Sequence, residues 1–516
     1  MYNCEMNTTP YWIDSAPLPE FPSLNGDCNA DVVVVGGGIT GITTAYLLKR
    51  AGCRVILLER ERCASLDTGH TTAHLTHVLD TPLHEIEHNF GAGRARLAWM
   101  AGRSAIDQIE ANIASEGIEC EFRRLSGFLH APVNGEDGRG EFFNLKRDAE
   151  LARKFGFSAR FMNSVPLMKR PGVEFENQAV FHPRKYLAGL LASIPGNGSA
   201  IFEHTAVEEI TERPLTVRAG RARVRCDYVV IATHTPLRGH SGMMAAIMLQ
   251  TKLFLYTTYV LGARIAKGIV PDAIFWDTMD PYHYLRVDHR GDHDYIIFGG
   301  GDHKTGQVTD TIAVFRRLEE TLGRLLPQAR VDRHWSGQVV ETPDGLPYIG
   351  KTAEDQFAAT GFAGQGMTFG TVGAMMATDA YLKRENPWKD LFSPARKSIR
   401  AGKLEYAREN ADYPFYLLRG WLGPAEEESI NAVGPGEGKI IALDHHKVAA
   451  YRDNNGHVTL LSPVCTHLRC IVRWNAAETT WDCPCHGSRF KATGEVISGP
   501  AEEDLKKIPV PERVEH

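Results

Sequence analysis

The chain has 516 residues, 43% of them hydrophobic and 23% charged, an ordinary globular balance that at roughly 150 residues per domain points to about three domains. Lysine and arginine number 57 against 63 acidic residues, a formal charge of −6, so phosphate backbones meet no general attraction and nucleic acid is not expected as a partner. No apolar run reaches the ~18 to 20 residues of a membrane span, and the opening MYNCEMNTTPYW lacks the basic and apolar regions of a secretory signal, so a cytoplasmic protein is expected.

Residues 1–30 read as a Pro-containing polar arm, with Tyr11 and Trp12 expected to dock it. At Asp31 the pattern becomes a buried strand, Val32-Val33-Val34-Val35, then a glycine turn, a helix over 42–51, a stop at Gly52 and a second strand over 54–59. That order is a βαβ unit. Residues 90–160 are expected to be mostly helical and residues 220–300 mostly strands, among them 223–233, 252–260 and 295–299. Strand, glycine-rich turn and helix return over 345–382. A connector follows at 386–425, with Trp388, Phe392, Arg396, Lys397, Arg400, Lys403 and Tyr406. It is expected to wrap between domains, the alternative being a basic amphipathic contact with a membrane. From 426 onward short strands, turn pairs such as Asn455-Gly456 and a dense group of cysteines mark another module.

The turn Gly36-Gly37-Gly38-Ile39-Thr40-Gly41 fits G-x-G-x-x-G. Gly36 makes the tight turn, Gly38 lets backbone approach a pyrophosphate, and Gly41 lets helix pack on strand. Ile39 and Thr40 open the helix, whose free N–H groups face phosphate. Glu59, 18 residues beyond Gly41 and followed by Arg60, ends the second strand where a carboxylate holds ribose hydroxyls. The fingerprint alone does not separate FAD from NAD.

Residues 31–60 resemble the opening of the D-amino-acid oxidase and glycine oxidase superfamily of flavoproteins. Asp344-Gly-Leu-Pro-Tyr-Ile-Gly350 and Ala359-Thr-Gly-Phe-Ala-Gly-Gln-Gly-Met-Thr-Phe-Gly370 resemble its C-terminal flavin segment. The resemblance implies FAD, with Gly366, Met367, Thr368 and Phe369 facing the isoalloxazine. Segment 227–233, including Ala232 and Thr233, is similar to the strand that closes under the adenine, and Val207 to the residue touching that base. Segment 68–74, with His70, Thr71 and Thr72, corresponds to the loop over the pyrophosphate and ring. His70 and His74 are expected to be loop histidines beside a non-covalent flavin, although some relatives attach flavin through His or Cys. The implied architecture is an α/β FAD-binding Rossmann-type domain with an α+β substrate domain over 31–385. Its FAD-binding segments are about 31–90, 160–235 and 336–385, and its substrate domain about 91–159 and 236–335. No second G-x-G-x-x-G follows a strand; Gly299-Gly300-Gly301 has Lys304 where the third glycine belongs. This favours a small organic reductant bound directly against the flavin.

Cys465-Thr-His467-Leu-Arg-Cys470 and Cys483-Pro-Cys485-His486-Gly-Ser488 carry a metal-ligand pattern. Two Cys and two His suit tetrahedral zinc, but zinc gives no reason for six cysteine and histidine side chains in two such loops. The pattern resembles the Rieske proteins of cytochrome bc complexes, which implies a C-terminal all-β Rieske domain at 426–516 with a 2Fe–2S cluster. Carried over, Cys465 and Cys483 bind one iron and His467 and His486 the other, which raises the potential. The resemblance also implies a Cys470–Cys485 disulfide and a covering proline loop at 499–501. Phe490 stands where high-potential relatives have a Tyr whose hydroxyl bonds a cysteine sulfur, so a lower potential is expected; Ser488 is kept, and Arg469 replaces a small residue.

The segment containing Asp277, Asp280, His283 and His289 loosely resembles the iron ligands of ring-hydroxylating oxygenases, but it reads as strand and is not expected to bind iron. Tyr282, Tyr284 and Arg286 are expected to have ordinary sheet-surface roles, the alternative being that they line a substrate pocket. Together these readings imply an FAD-dependent dehydrogenase that oxidises a small amine, amino acid or related substrate. Electrons would then pass singly through the cluster to an external protein or quinone. The alternatives are electron entry from a protein donor through the cluster, or a redox sensor. Hydride removal needs mainly orientation and a deprotonated donor, so no catalytic side chain is assigned.

Overall fold

The computed structural model describes residues 6–133, 139–236, 249–396 and 400–510, and all counts and absences below refer to these. Val32–Val35 is buried along its whole length and sits in a six-stranded sheet with Val55–Leu58 and Ala200–Phe202 on one side and Tyr228–Ile231, Gln356–Thr360 and Tyr348–Ala353 on the other. All neighbours but the last pair run parallel, which is why the Val run is apolar on both faces. The helix after the glycine turn, Ile39–Arg50, starts three residues earlier than the apolar pattern indicated. It packs against Gly366–Tyr381.

A nine-stranded sheet forms the second layer system. Its order brings Arg330–Glu341, Phe254–Ile265, Asp294–Lys304, Tyr284–His289, Ile274–Asp277, Arg123–His130 and Gly172–Val180 side by side. Arg123–His130 comes from a stretch read as mostly helical, and its long antiparallel pairing with Gly172–Val180 overrides that local reading. Helices Ala92–Glu116 and Arg139–Lys154 occupy most of the remaining 90–160 segment.

The N-terminal arm docks as expected. Trp12 is fully buried, its indole N–H donates to the Thr71 carbonyl at 2.6 Å, and the Tyr11 hydroxyl donates to Asp288 at 2.7 Å.

Trp388 and Phe392 of the connector are buried in the core of the flavin-type unit, so they cannot serve a membrane contact. Arg396 pairs with Asp344 at 2.6 Å; Lys397 lies outside the described residues. The connector continues as two helices, Arg400–Asn410 and Tyr413–Leu422, the first carrying Lys403 and an exposed Tyr406. No described helix is long and apolar enough to cross a membrane.

The last module is two four-stranded sheets. One contains Gly438–Leu443, His446–Arg452, Val458–Leu461 and Lys507–Ile508; the other Arg473–Asn475, Thr480–Asp482, Arg489–Lys491 and Val496–Ser498.

Candidate flavin cavity and iron–sulfur site

One large cavity, about 570 Å³, runs from the glycine turn to the face of the nine-stranded sheet. Gly36 turns the chain at φ +104°, and a Cβ there would meet the Ala232 carbonyl oxygen at 2.4 Å. A Cβ on Gly41 would lie 1.8 Å from the Gly36 carbonyl oxygen. The cradle therefore excludes side chains where a pyrophosphate must approach backbone. Gly36, Gly38, Ile39, Thr40, Glu59, Arg60, His70, Thr71, Thr72, Val207, Ala232, Thr233, Gly366 and Met367 all line the cavity.

Gly41, Thr368 and Phe369 do not line it. Gly41 serves the helix–strand contact. Thr368 and Phe369 are fully buried one turn inside the helix that Gly366 begins, so only its first two residues face the cavity.

Glu59 accepts from Gly37 N at 2.6 Å and Glu61 N at 2.8 Å. Burial raises its pKa, against which both backbone donors act. His70 Nδ1 lies 2.6 Å from the Ser336 carbonyl oxygen. His74 also lines the cavity; burial first, then Arg286, lowers its pKa to about 3, so it is neutral. Arg286 is not among the cavity's lining residues. It is fully buried and donates to the Ala73 carbonyl at 2.8 Å, holding the loop from behind. Tyr282 and Tyr284 do line the cavity. The Asp277–His283 pair, 3.1 Å apart, and His289, bonded to Asp294 at 2.8 Å, are satisfied within the sheet.

At the cysteine loops the backbone folds each motif on itself: Cys465 N donates to the Cys470 carbonyl at 2.8 Å and Gly487 N to the Cys483 carbonyl at 2.9 Å. Cys465 and Cys483 are both 1% exposed, with their thiols in contact. That contact and burial together raise the Cys483 pKa, so the pair calls for a cation to become thiolates. The His467 and His486 rings stand 4.9 Å apart, and His467 Nδ1 is buried without a hydrogen-bond partner. Cys470 and Cys485 form a disulfide across the two loops. Ser488 Oγ accepts from Ala501 N at 3.1 Å, which leaves its own proton to donate. Phe490 is fully buried in the same apolar cluster as Cys465 and Cys483. This donor set fits a Rieske cluster, and the glycine cradle fits FAD.

The two sites share a wall. Ile497, Ser498, Gly499 and Ala501 of the last module line the cavity together with the flavin-side residues. Arg60 donates to the Ile497 carbonyl at 2.5 Å and Thr235 to the Gly499 carbonyl at 2.9 Å. Gln338, 3% exposed and itself lining the cavity, is the central link. Its Nε2 donates to the Gly487 carbonyl at 2.8 Å and to Thr305 Oγ1 at 3.1 Å, and its Oε1 accepts from Ser498 at 3.0 Å. Nothing in the sequence singles out Gln338, because its partners lie about 150 residues away.

A family model described as FAD dependent oxidoreductase matches residues 31–380, well over half of the chain. The chain belongs to the FAD-dependent oxidoreductase family. A second model, the Rieske 2Fe–2S domain, matches residues 425–509 of this oxidoreductase, and the two cofactors are FAD and a 2Fe–2S cluster. Among its relatives, YhfW of Bacillus subtilis (strain 168), named as a Rieske 2Fe–2S iron–sulfur protein, is 34% identical over 505 residues, covering 96% of this chain and 97% of YhfW. Gamma-glutamylputrescine oxidoreductase of Escherichia coli (strain K12) is 24% identical, with 70% of this chain and 86% of that protein covered. The crystal structure of glycine oxidase from Geobacillus kaustophilus superposes at TM-score 0.59 and 18% identity, over 72% of this chain and 99% of the other.

Proposed function

We propose that this oxidoreductase is a cytoplasmic dehydrogenase that oxidises a small amine, amino acid or related substrate at FAD and sends the electrons singly through the Rieske cluster to an external one-electron acceptor. FAD supplies the two-electron acceptor for a C–H bond next to nitrogen, and the cluster supplies a one-electron carrier. The residues proposed to hold FAD are Gly36, Gly38, Ile39, Thr40, Glu59, Arg60, His70, Thr71, Thr72, Val207, Ala232, Thr233, Gly366 and Met367, which line the cavity. Those proposed to hold iron are Cys465, His467, Cys483 and His486. The single observation that carries the reading is the shared wall: the loops flanking the cluster ligands close directly on the cavity through Gln338. A reductant arriving in this cavity has its exit beside it.

The test is anaerobic mixing with pooled amines and amino acids, following flavin bleaching and the cluster's EPR signal. Bleaching followed by a reduced Rieske signal is expected. A Cys465→Ser variant should still bleach but fail to reduce a one-electron acceptor. Flavin that responds to no pool but is reduced by electrons delivered through the cluster would refute the direction proposed.

A further inference from the structure

The end of the cavity against the nine-stranded sheet is lined by carboxyl groups. Asp80 and Asp302 line it, between the aromatic walls Tyr282 and Tyr284. Asp80 accepts from Gly364 N and Gln365 Nε2, both at 3.2 Å, which places it beside the start of the helix at Gly366. A Cβ on Gly364 would lie 2.3 Å from the Tyr282 hydroxyl and 3.4 Å from Asp80 Oδ2. Tyr284 and Thr258 share a hydroxyl contact at 2.7 Å, and Thr258 in turn bonds Asp302. Asp302 Oδ1 is buried with no hydrogen-bond partner. A buried carboxylate oxygen left so is costly unless a ligand supplies a donor or a positive charge.

Among the described residues the only permanent cations lining the cavity, Arg60 and Arg62, are engaged elsewhere. Arg60 donates to Ile497, and Arg62 pairs with Glu20 and Glu203. His74 is neutral. Among the described residues a substrate carboxylate would meet carboxyl groups and no guanidinium at this end, whereas an ammonium would find a counter-charge and two tyrosine rings.

We propose that this end of the cavity binds the ammonium group of a cationic amine that has no neighbouring carboxylate, such as an alkylamine or diamine, with Asp302 as its counter-ion. The inference rests on the reading above that the substrate meets FAD in this cavity, and it narrows that substrate to cations rather than zwitterionic α-amino acids.

The test uses the holoprotein and two unreactive probes of matched length, butyltrimethylammonium and hexanoate, read by their perturbation of the flavin absorption band. The ammonium should bind at least tenfold more tightly than the carboxylate, and Asp302→Asn should abolish the difference while flavin and cluster absorbance stay at wild-type levels. If that variant fails to assemble, Asp80→Asn serves, and the wild-type probe ratio stands on its own. In bleaching, 1-aminobutane and putrescine should act at lower concentration than 2-aminobutanoate. Tighter binding of hexanoate, or faster bleaching by 2-aminobutanoate, would overturn the inference while leaving oxidation at FAD intact. Selective binding of the cation with no bleaching by any amine would instead overturn the oxidation reading and keep the site.

Discussion

Replacing Gln338 with Ala tests whether the two redox units are held at fixed separation. The side chain is 3% exposed, so solvent does not substitute for what is lost. Two of its bonds cross the interface, to the Gly487 carbonyl and from Ser498. At ~1 kcal/mol net per bond, plus ~1 kcal/mol for leaving the Gly487 carbonyl without a donor, the docked arrangement loses about 3 kcal/mol. That is about 150-fold in the equilibrium between docked and parted units. Arg60, Thr235 and Gln307 keep their own bonds to Ile497, Gly499 and Pro484, so the variant should still dock. Hydrogen exchange at the Ala477 amide, which donates to Thr311 Oγ1 across the interface at 3.2 Å, should accelerate by up to about 150-fold, because this bond opens when the interface opens. After rapid flavin reduction, electrons should arrive at the cluster more slowly, with bleaching itself unchanged. Unaltered exchange together with unaltered electron arrival would refute the argument that Gln338 fixes the interface.

Trp12→Ala removes a fully buried indole and its bond to Thr71, at a cost of ~3 to 5 kcal/mol; since Thr71 lines the cavity, purified variant should retain less FAD, read from the ratio of visible to ultraviolet absorbance. Phe490→Tyr should raise the cluster's midpoint potential in an EPR-monitored titration, and an intact cluster at the wild-type potential would show that the hydroxyl does not reach sulfur. Stability should fall with rising pH. Burial first, with Asp80 among the neighbouring charges, pushes Asp302 up to about 7 and Glu341 up to about 8. Both values lie above those of the unfolded chain, so the folded state keeps protons the unfolded one has released, and stability is lost between about pH 4 and pH 8. The other charges facing this pair are Asp280, Glu409 and His283, and Lys304 pairs with Glu409 at 3.1 Å. Thermal melts across that range should flatten with Asp302→Asn, and butyltrimethylammonium should restore stability most at the alkaline end.

The glycine turn and the cysteine loops were legible because each compresses its chemistry into a few consecutive residues whose types admit few other uses. Gly36 and Gly41 are fixed by steric limits that any sequence reading can apply, and the Cys–His spacing by what two loops must present to two irons. The acidic end of the cavity was not legible in this way. Asp80, Asp302 and Glu341 come from separate segments, and their common environment exists only once the nine-stranded sheet has formed. The strand at Arg123–His130 was missed for a related reason: its partner, Gly172–Val180, lies about 50 residues on, across a helix. Arg286 alternates correctly for a strand, yet its side chain faces the Ala73 carbonyl behind the loop and not the cavity, an outcome that period-two reasoning alone cannot choose.

The loop from Ile497 to Ala501 forms part of the cavity's own lining, and this has a consequence for how the holoprotein holds together. Because residues of both modules contribute to one lining, a flavin seated in the cavity and a C-terminal module docked through Arg60 and Thr235 stabilise one another. Loosening either part should then be felt as weaker retention of the other.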